Sequence, residues 1–177
     1  EQDPAEWISA MVSAARTALA EAGPVAEIVG IGVSGQQHGF VPIDESGNVI
    51  RPAKLWCDTS TSKEVEDIYK ACGGAEDYRA EIGNLLPVGF TASKIAWLRK
   101  SEPENFARLW KVLLPHDYIN YWLTGCCTME PGDASGTGLM KVKDRAWSAS
   151  VARAVDKCLV EKLPEIGKSE RPAGRLR

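Results

Sequence analysis

VGIGVSGQQHGFVPIDESGNVIRPAKLWCD, residues 29–58, decides the reading of this chain. Val29, Ile31 and Val33 alternate as in a buried strand, expected over residues 27–34. The strand runs out into Ser34-Gly35-Gln36-Gln37-His38-Gly39. In a parallel α/β sheet, ligands collect beyond the carboxyl ends of the strands, so this loop stands where a site is presented. Gly35 and Gly39 allow tight backbone paths and close approach. Gln36, Gln37 and His38 carry groups that both donate and accept, which suits a polyhydroxylated ligand. A polar turn with an incidental histidine fits the same spacing, and the loop alone does not choose between the two.

Toward the N-terminus, Asp3-Pro4-Ala5-Glu6 reads as a helix start, with Asp3 as N-cap, Pro4 in the first turn and Glu6 closing a capping box. Trp7, Ile8, Met11, Val12, Ala15, Leu19 and Ala22 recur at helical spacing until Gly23-Pro24. Toward the C-terminus, Phe40, Val41 and Ile43 lead through a polar loop with Gly47 to Val49 and Ile50, a hairpin pattern. Helices are expected over 62–72, 76–82, 91–101, 103–110, 116–123 and from Trp147 to about Leu159. Thr91 or Ser93 is expected to cap the third of these. Val112-Leu113-Leu114 reads as a strand, and Leu139, Met140 and Val142 as a further extended segment. Alternating helices and buried strands argue for an α/β fold. The visible strands are few for so many helices, and the chain opens at Glu1 almost inside a helix; both suggest a segment of something longer. Residues 1–160 are expected to form one domain and 161–177 a connector.

Composition narrows the function. The 177 residues are 44% hydrophobic with a net charge of −3, enough for a core and without a basic run. Nucleic acid and anionic membrane are poor partners for such a surface. No apolar run approaches the roughly 18 residues that span a bilayer. Five scattered cysteines, with Cys126 and Cys127 adjacent and no CxxC, form neither a disulfide framework nor a zinc motif. Cys126-Cys127 reads as small apolar residues rather than as a redox pair. A reducing cytoplasm is the simplest compartment.

Further polar residues invite two readings each. Asp133 either lines a cleft or caps the turn that follows it, and Asp58 either lines a cleft or caps the next helix; capping is the simpler reading of both. His116, at a strand-Pro-helix junction, reads as structural. Lys94 reads as a solvated helix-face charge paired with a carboxylate.

The run SGQQHGF with its hairpin and RPAKLWCD resembles the N-terminal domain of the FGGY carbohydrate kinase family, and its Gln-His-Gly block is the variant typical of the family's xylulokinases. The block GFTASKIAWL, residues 89–98, is similar to a family signature, though its last position holds Ser101 where Asn, Gln, Glu or His is usual. Leu113-Leu114-Pro115-His116-Asp117-Tyr118, with Leu123-Thr124-Gly125 and Asp133-Ala134-Ser135-Gly136-Thr137, gives a third match. The resemblance implies part of an actin-like, ribonuclease-H-like domain lacking its first strands. It implies transfer of the γ-phosphoryl group of ATP, with Mg²⁺, to a hydroxyl of D-xylulose. A kinase for another ketose or polyol, and a non-catalytic sugar-binding relative, are the alternatives. Gln37 and His38 fall at positions that contact sugar in the family; Gln36, Trp56 and Asp133 are further candidates for lining the cleft. Gly89 lacks a side chain that relatives often carry there, and Cys57 stands where Asn is common. The family's phosphate loop and general base have no counterpart here, so no catalytic or metal-binding residue is assigned, and the base role is not given to Asp133. ATP and Mg²⁺ are expected to be held mainly outside this segment, which alone should be inactive. A homodimer of the whole protein stays open.

Overall fold

The computed structural model describes residues 1–24 and 28–177, so Glu27, where the expected strand begins, lies outside the described residues. The elements run α1 (Pro4–Ala22), β1 (Val41–Ile43), α2 (Ser62–Ala71), α3 (Ala75–Ile82), α4 (Thr91–Ser101), α5 (Pro103–Arg108), β2 (Lys111–Leu113) and α6 (Pro115–Thr124). They continue with β3 (Thr128–Met129), α7 (Pro131–Ser135), β4 (Met140–Lys141), β5 (Ala146–Trp147), α8 (Ala149–Val155), α9 (Leu159–Lys162) and β6 (Glu165–Ile166).

The antiparallel pair β1–β2 divides the core. Val41 lies opposite Leu113 and Ile43 opposite Lys111. Because side chains alternate across a strand, this short ribbon feeds two apolar clusters. Phe40 and Val112 join the larger one with Ile68, Tyr78, Ile95, Leu98, Leu139 and Val151. Val41, Ile43 and Leu113 join the second with Tyr118, against which Trp7 and Ile8 of α1 pack. Tyr78 satisfies its buried hydroxyl by donating to the Gly138 carbonyl at 2.6 Å. The expected hairpin is present in reduced form: Ile43 bridges Val49, and Asp44 Oδ1 accepts from the Ser46 and Asn48 amides.

Helix starts follow local chemistry only in part. Asp3 Oδ1 accepts from the Ala5 amide at 2.9 Å, and Pro4 sits in the first turn, where its missing N–H is not needed. This single bond replaces the expected capping box with Glu6. Ser148 caps α8 through the Val151 amide. Neither Thr91 nor Ser93 caps α4: its N-cap is Phe90, with no side-chain bond. Asp58 is likewise not a helix cap. It closes a turn through the Ser60 amide and pairs with Lys54 Nζ at 2.9 Å.

The largest departure is the expected buried strand. Residues 28–34 belong to no strand, and Val29 and Ile31 are 92% and 57% exposed. A strand needs a neighbour to pair its backbone groups, and no described strand runs alongside this segment. The fold is therefore mixed α/β, with three two-stranded sheets among the described residues, of which β3–β6 is parallel. The partner of β3 lies beyond residue 160. Leu163 is buried, and the Pro164 carbonyl accepts from Trp147 Nε1 at 2.7 Å, so residues 161–166 pack on the body rather than lead away from it.

Candidate functional site

The loop 34–39 lies across the start of α6. A Cβ on Gly35 would come within 3.0 Å of His116 Cβ, and one on Gly39 within 2.6 Å of Pro115 Cγ. Both glycines serve close backbone approach. Between them, His38 takes a left-handed backbone, φ 57°, which histidine tolerates better than most residues.

His38 is held from below. Its carbonyl accepts from Lys94 Nζ at 2.7 Å and from Thr91 Oγ1 at 3.3 Å. Lys94 Nζ also donates to the Gly89 carbonyl. Lys94 is therefore not a solvated helix charge: it is fully buried, and one ammonium ties the loop before α4 to the loop after residue 34. Thr91, Ala92, Ser93, Lys94 and Ile95 at the start of α4 are all buried, so the part of the helix that carries Lys94 does not reach water, unlike its last turn with Arg99 and Lys100. Gly89 makes room for a neighbouring backbone as well, since a Cβ there would sit 2.5 Å from the Trp56 carbonyl oxygen.

Burial pushes Lys94 down to about 8, with Lys54 acting in the same direction and Asp58 and Cys57 opposing. An unfolded lysine titrates near 10.4. Between these values the unfolded chain binds the extra proton, so stability rises with pH across the window and the penalty is complete below it. We expect this rise, at most about 1.4 kcal/mol per pH unit, to vanish in Lys94→Met. Urea unfolding of both proteins from about pH 8 to pH 10 checks it, and equal slopes would rule it out.

The His38 imidazole stacks on Phe90 with ring centroids 4.4 Å apart. Its Nδ1 is buried and has no hydrogen-bond partner. Burial lowers its pKa, as does Lys94, against the opposing pull of Asp133 and the Gly136 backbone. A neutral imidazole offers one donor and one acceptor, which is what reading a hydroxyl requires. Gln37 beside it is exposed. Gln36 turns away: its Nε2 donates to Gln2 Oε1 at 3.2 Å, an oxygen that also accepts from Trp7 Nε1. Trp56 is half exposed.

Asp133 lies on α7, an element hidden from a sequence reading because five residues, Pro-Gly-Asp-Ala-Ser, look like a polar turn. Its side chain does not cap the following turn. Asp133 Oδ2 lies 3.1 Å from His116 Nδ1, and Asp117 Oδ1 lies 2.8 Å from His116 Nε2. His116 is thus buried between two carboxylates. Burial alone would lower its pKa, but Asp117, Asp133 and Glu130 together raise it. Asp117 also accepts from the Leu114 amide at 3.0 Å, which fixes the start of α6. The structure brings His38, Asp133 and His116 together near that start, with Gln37 exposed beside His38 in the chain, and leaves Gln36 tied to Gln2 ahead of α1. Among the described residues, no three His, Cys, Asp or Glu side chains converge as a metal site, and no helix is long and apolar enough to cross a membrane.

Residues 1–177 match the N-terminal domain of the FGGY family of carbohydrate kinases. The chain belongs to that family. Its FGGY relatives include the xylulose kinase of Haemophilus influenzae, 39% identical over 184 residues that cover 100% of this chain and 37% of that protein. The xylulose kinase of Staphylococcus xylosus is 44% identical over 152 residues, 85% of this chain and 31% of that one. A crystal structure of a xyloylose kinase from Brucella ovis superposes with a TM-score of 0.89 at 37% identity, covering 100% of this chain and 36% of that chain. The chain thus spans about a third of the length of the FGGY relatives it matches.

Proposed function

We propose that this chain forms the sugar-holding wall of an ATP-dependent kinase, in an actin-like domain, that phosphorylates D-xylulose to D-xylulose 5-phosphate in the cytoplasm. The observation that carries this reading is the His38 imidazole. Its ring rests on Phe90, burial and Lys94 hold its pKa down, and it sits on a backbone fixed by Lys94 beside the exposed Gln37. Such groups bind and orient hydroxyls, and a site that pairs each hydroxyl discriminates strongly against analogues that lack one. Relatives named xylulose kinase at 39% and 44% identity support this sugar over other ketoses and polyols.

Phosphoryl transfer also needs a base, donors on the phosphates and Mg²⁺. Asp133 lies against His116, and no step through Mg²⁺ or through a base is assigned to this chain. What it contributes is position: the acceptor sugar is oriented and the loop that holds it is kept still.

The test is a panel of ketoses and polyols given to the intact protein with ATP and Mg²⁺. D-xylulose should show the highest kcat/KM. A better polyol or second ketose would replace the substrate, and no sugar-dependent release of ADP would end the kinase reading. In the same assay Gln37→Ala should weaken sugar binding by about 1 kcal/mol, near a fivefold rise in KM. An unchanged KM would remove Gln37 from the site.

A further inference from the structure

Gly136 follows α7 with φ −77° and ψ 0°. Any residue adopts such a backbone, so its conformation does not call for glycine. The neighbour does. A Cβ on Gly136 would lie 2.1 Å from His38 Cε1 and 2.2 Å from His38 Nδ1, far inside van der Waals contact. The imidazole has little freedom to yield. Phe90 stands 4.4 Å away, ring to ring, and the His38 backbone is tied by Lys94 and Thr91. Gly136 itself is buried, between Ala134 and Thr137, both fully buried, so it cannot drift outward to make space.

We infer that Gly136 is a positioning residue for the sugar site: its bare Cα leaves the space in which the His38 imidazole lies. The segment after α7 then decides which edge of the ring faces the ligand, although it is almost a hundred positions away in sequence, Gly136 against His38. A side chain there would turn the imidazole away from its place over Phe90. The inference rests on the sugar-holding role of His38 proposed above.

Four versions of the intact protein test it: wild type, Gly136→Ala, His38→Gly and the double variant. Glycine suits the background because it accepts the left-handed backbone of position 38 and has no side chain for a Cβ at 136 to meet. With D-xylulose, ATP and Mg²⁺, Gly136→Ala should raise the sugar KM on the order of tenfold to a hundredfold, the effect of misplacing a binding group by about an ångström. kcat at saturating sugar should fall less. In the His38→Gly background, adding Gly136→Ala should change KM by less than about twofold, because the group it displaces is gone. Equal fold-losses in both backgrounds, or no loss in the first, would overturn the inference.

Folding is read alongside. If Gly136→Ala fails to fold while the double variant folds, the crowded imidazole is the cause and the inference stands; if both fail, glycine is needed for another reason and it falls. A wild-type protein with no sugar turnover would instead overturn the proposed function. The positioning role is then read from the His38 ring signals in NMR spectra, identified by their loss in His38→Gly. Gly136→Ala should shift them, and unchanged signals would overturn it.

Discussion

Alanine at position 38 should raise the KM for D-xylulose in the intact protein roughly tenfold to a hundredfold, the loss of about 1–3 kcal/mol from a binding group whose partner is left unpaired. The imidazole is the group best prepared for a ligand. Burial and Lys94 hold its pKa down, it rests on Phe90, and its carbonyl is clamped by Lys94. Little freedom remains to be lost when a sugar hydroxyl arrives, so its removal should register in binding. Alanine also strains the left-handed backbone at φ 57°, by about 1–2 kcal/mol. His38→Gly separates the two effects, because it relieves the strain without restoring the ring. An unaltered KM in both variants would sink the assignment of His38.

Phe40→Ala should destabilise the chain by about 3–5 kcal/mol, the range for deleting a buried phenylalanine. Phe40 is fully buried in the larger cluster with Ile95, Leu98 and Leu139. Its amide donates to the Lys54 carbonyl at 2.8 Å, and the next residue pairs with Leu113. The backbone around the deleted ring is thus held and cannot collapse into the space. A shift of the denaturation midpoint equivalent to less than about 1 kcal/mol would contradict this. Leu19→Ala, on the exposed side of α1, is the matched control and should stay within about 0.5 kcal/mol.

What the sequence shows and what it hides divide along the range of the interactions. The start of α1 is legible because Asp3 and Pro4 act on residues within one turn. The glycine stop at Gly83 is legible for the same reason, while the strand expected over Val112-Leu113-Leu114 forms one residue earlier, as Lys111–Leu113, because it finds β1 to pair with. The site loop is visible through its glycines and the family pattern around His38. Lys94 escapes a local reading because a charge within a helix usually faces water, whereas the start of α4 is enclosed and Lys94 reaches the Gly89 carbonyl just before it and the His38 carbonyl of a distant loop. Asp133 escapes it because its partner, His116, lies seventeen positions back in sequence. Residues 28–34 fail in the other direction. Their apolar alternation is real, but a strand is a property of a pair, and the described residues offer it no partner.

The dual grip of Lys94 on His38 and Gly89 has a consequence for anyone who would transplant this site. The hexapeptide 34–39 carries the two side chains proposed to meet the sugar, Gln37 and His38, yet it does not carry its own shape. The clamp comes from α4, the floor from Phe90 and the clearance from Gly136. A loop graft into a foreign scaffold would move the letters and leave the geometry behind. Recognition could be exchanged between relatives only by moving the hexapeptide together with residues 89–94 and the turn at 136, as one unit spread over three parts of the chain.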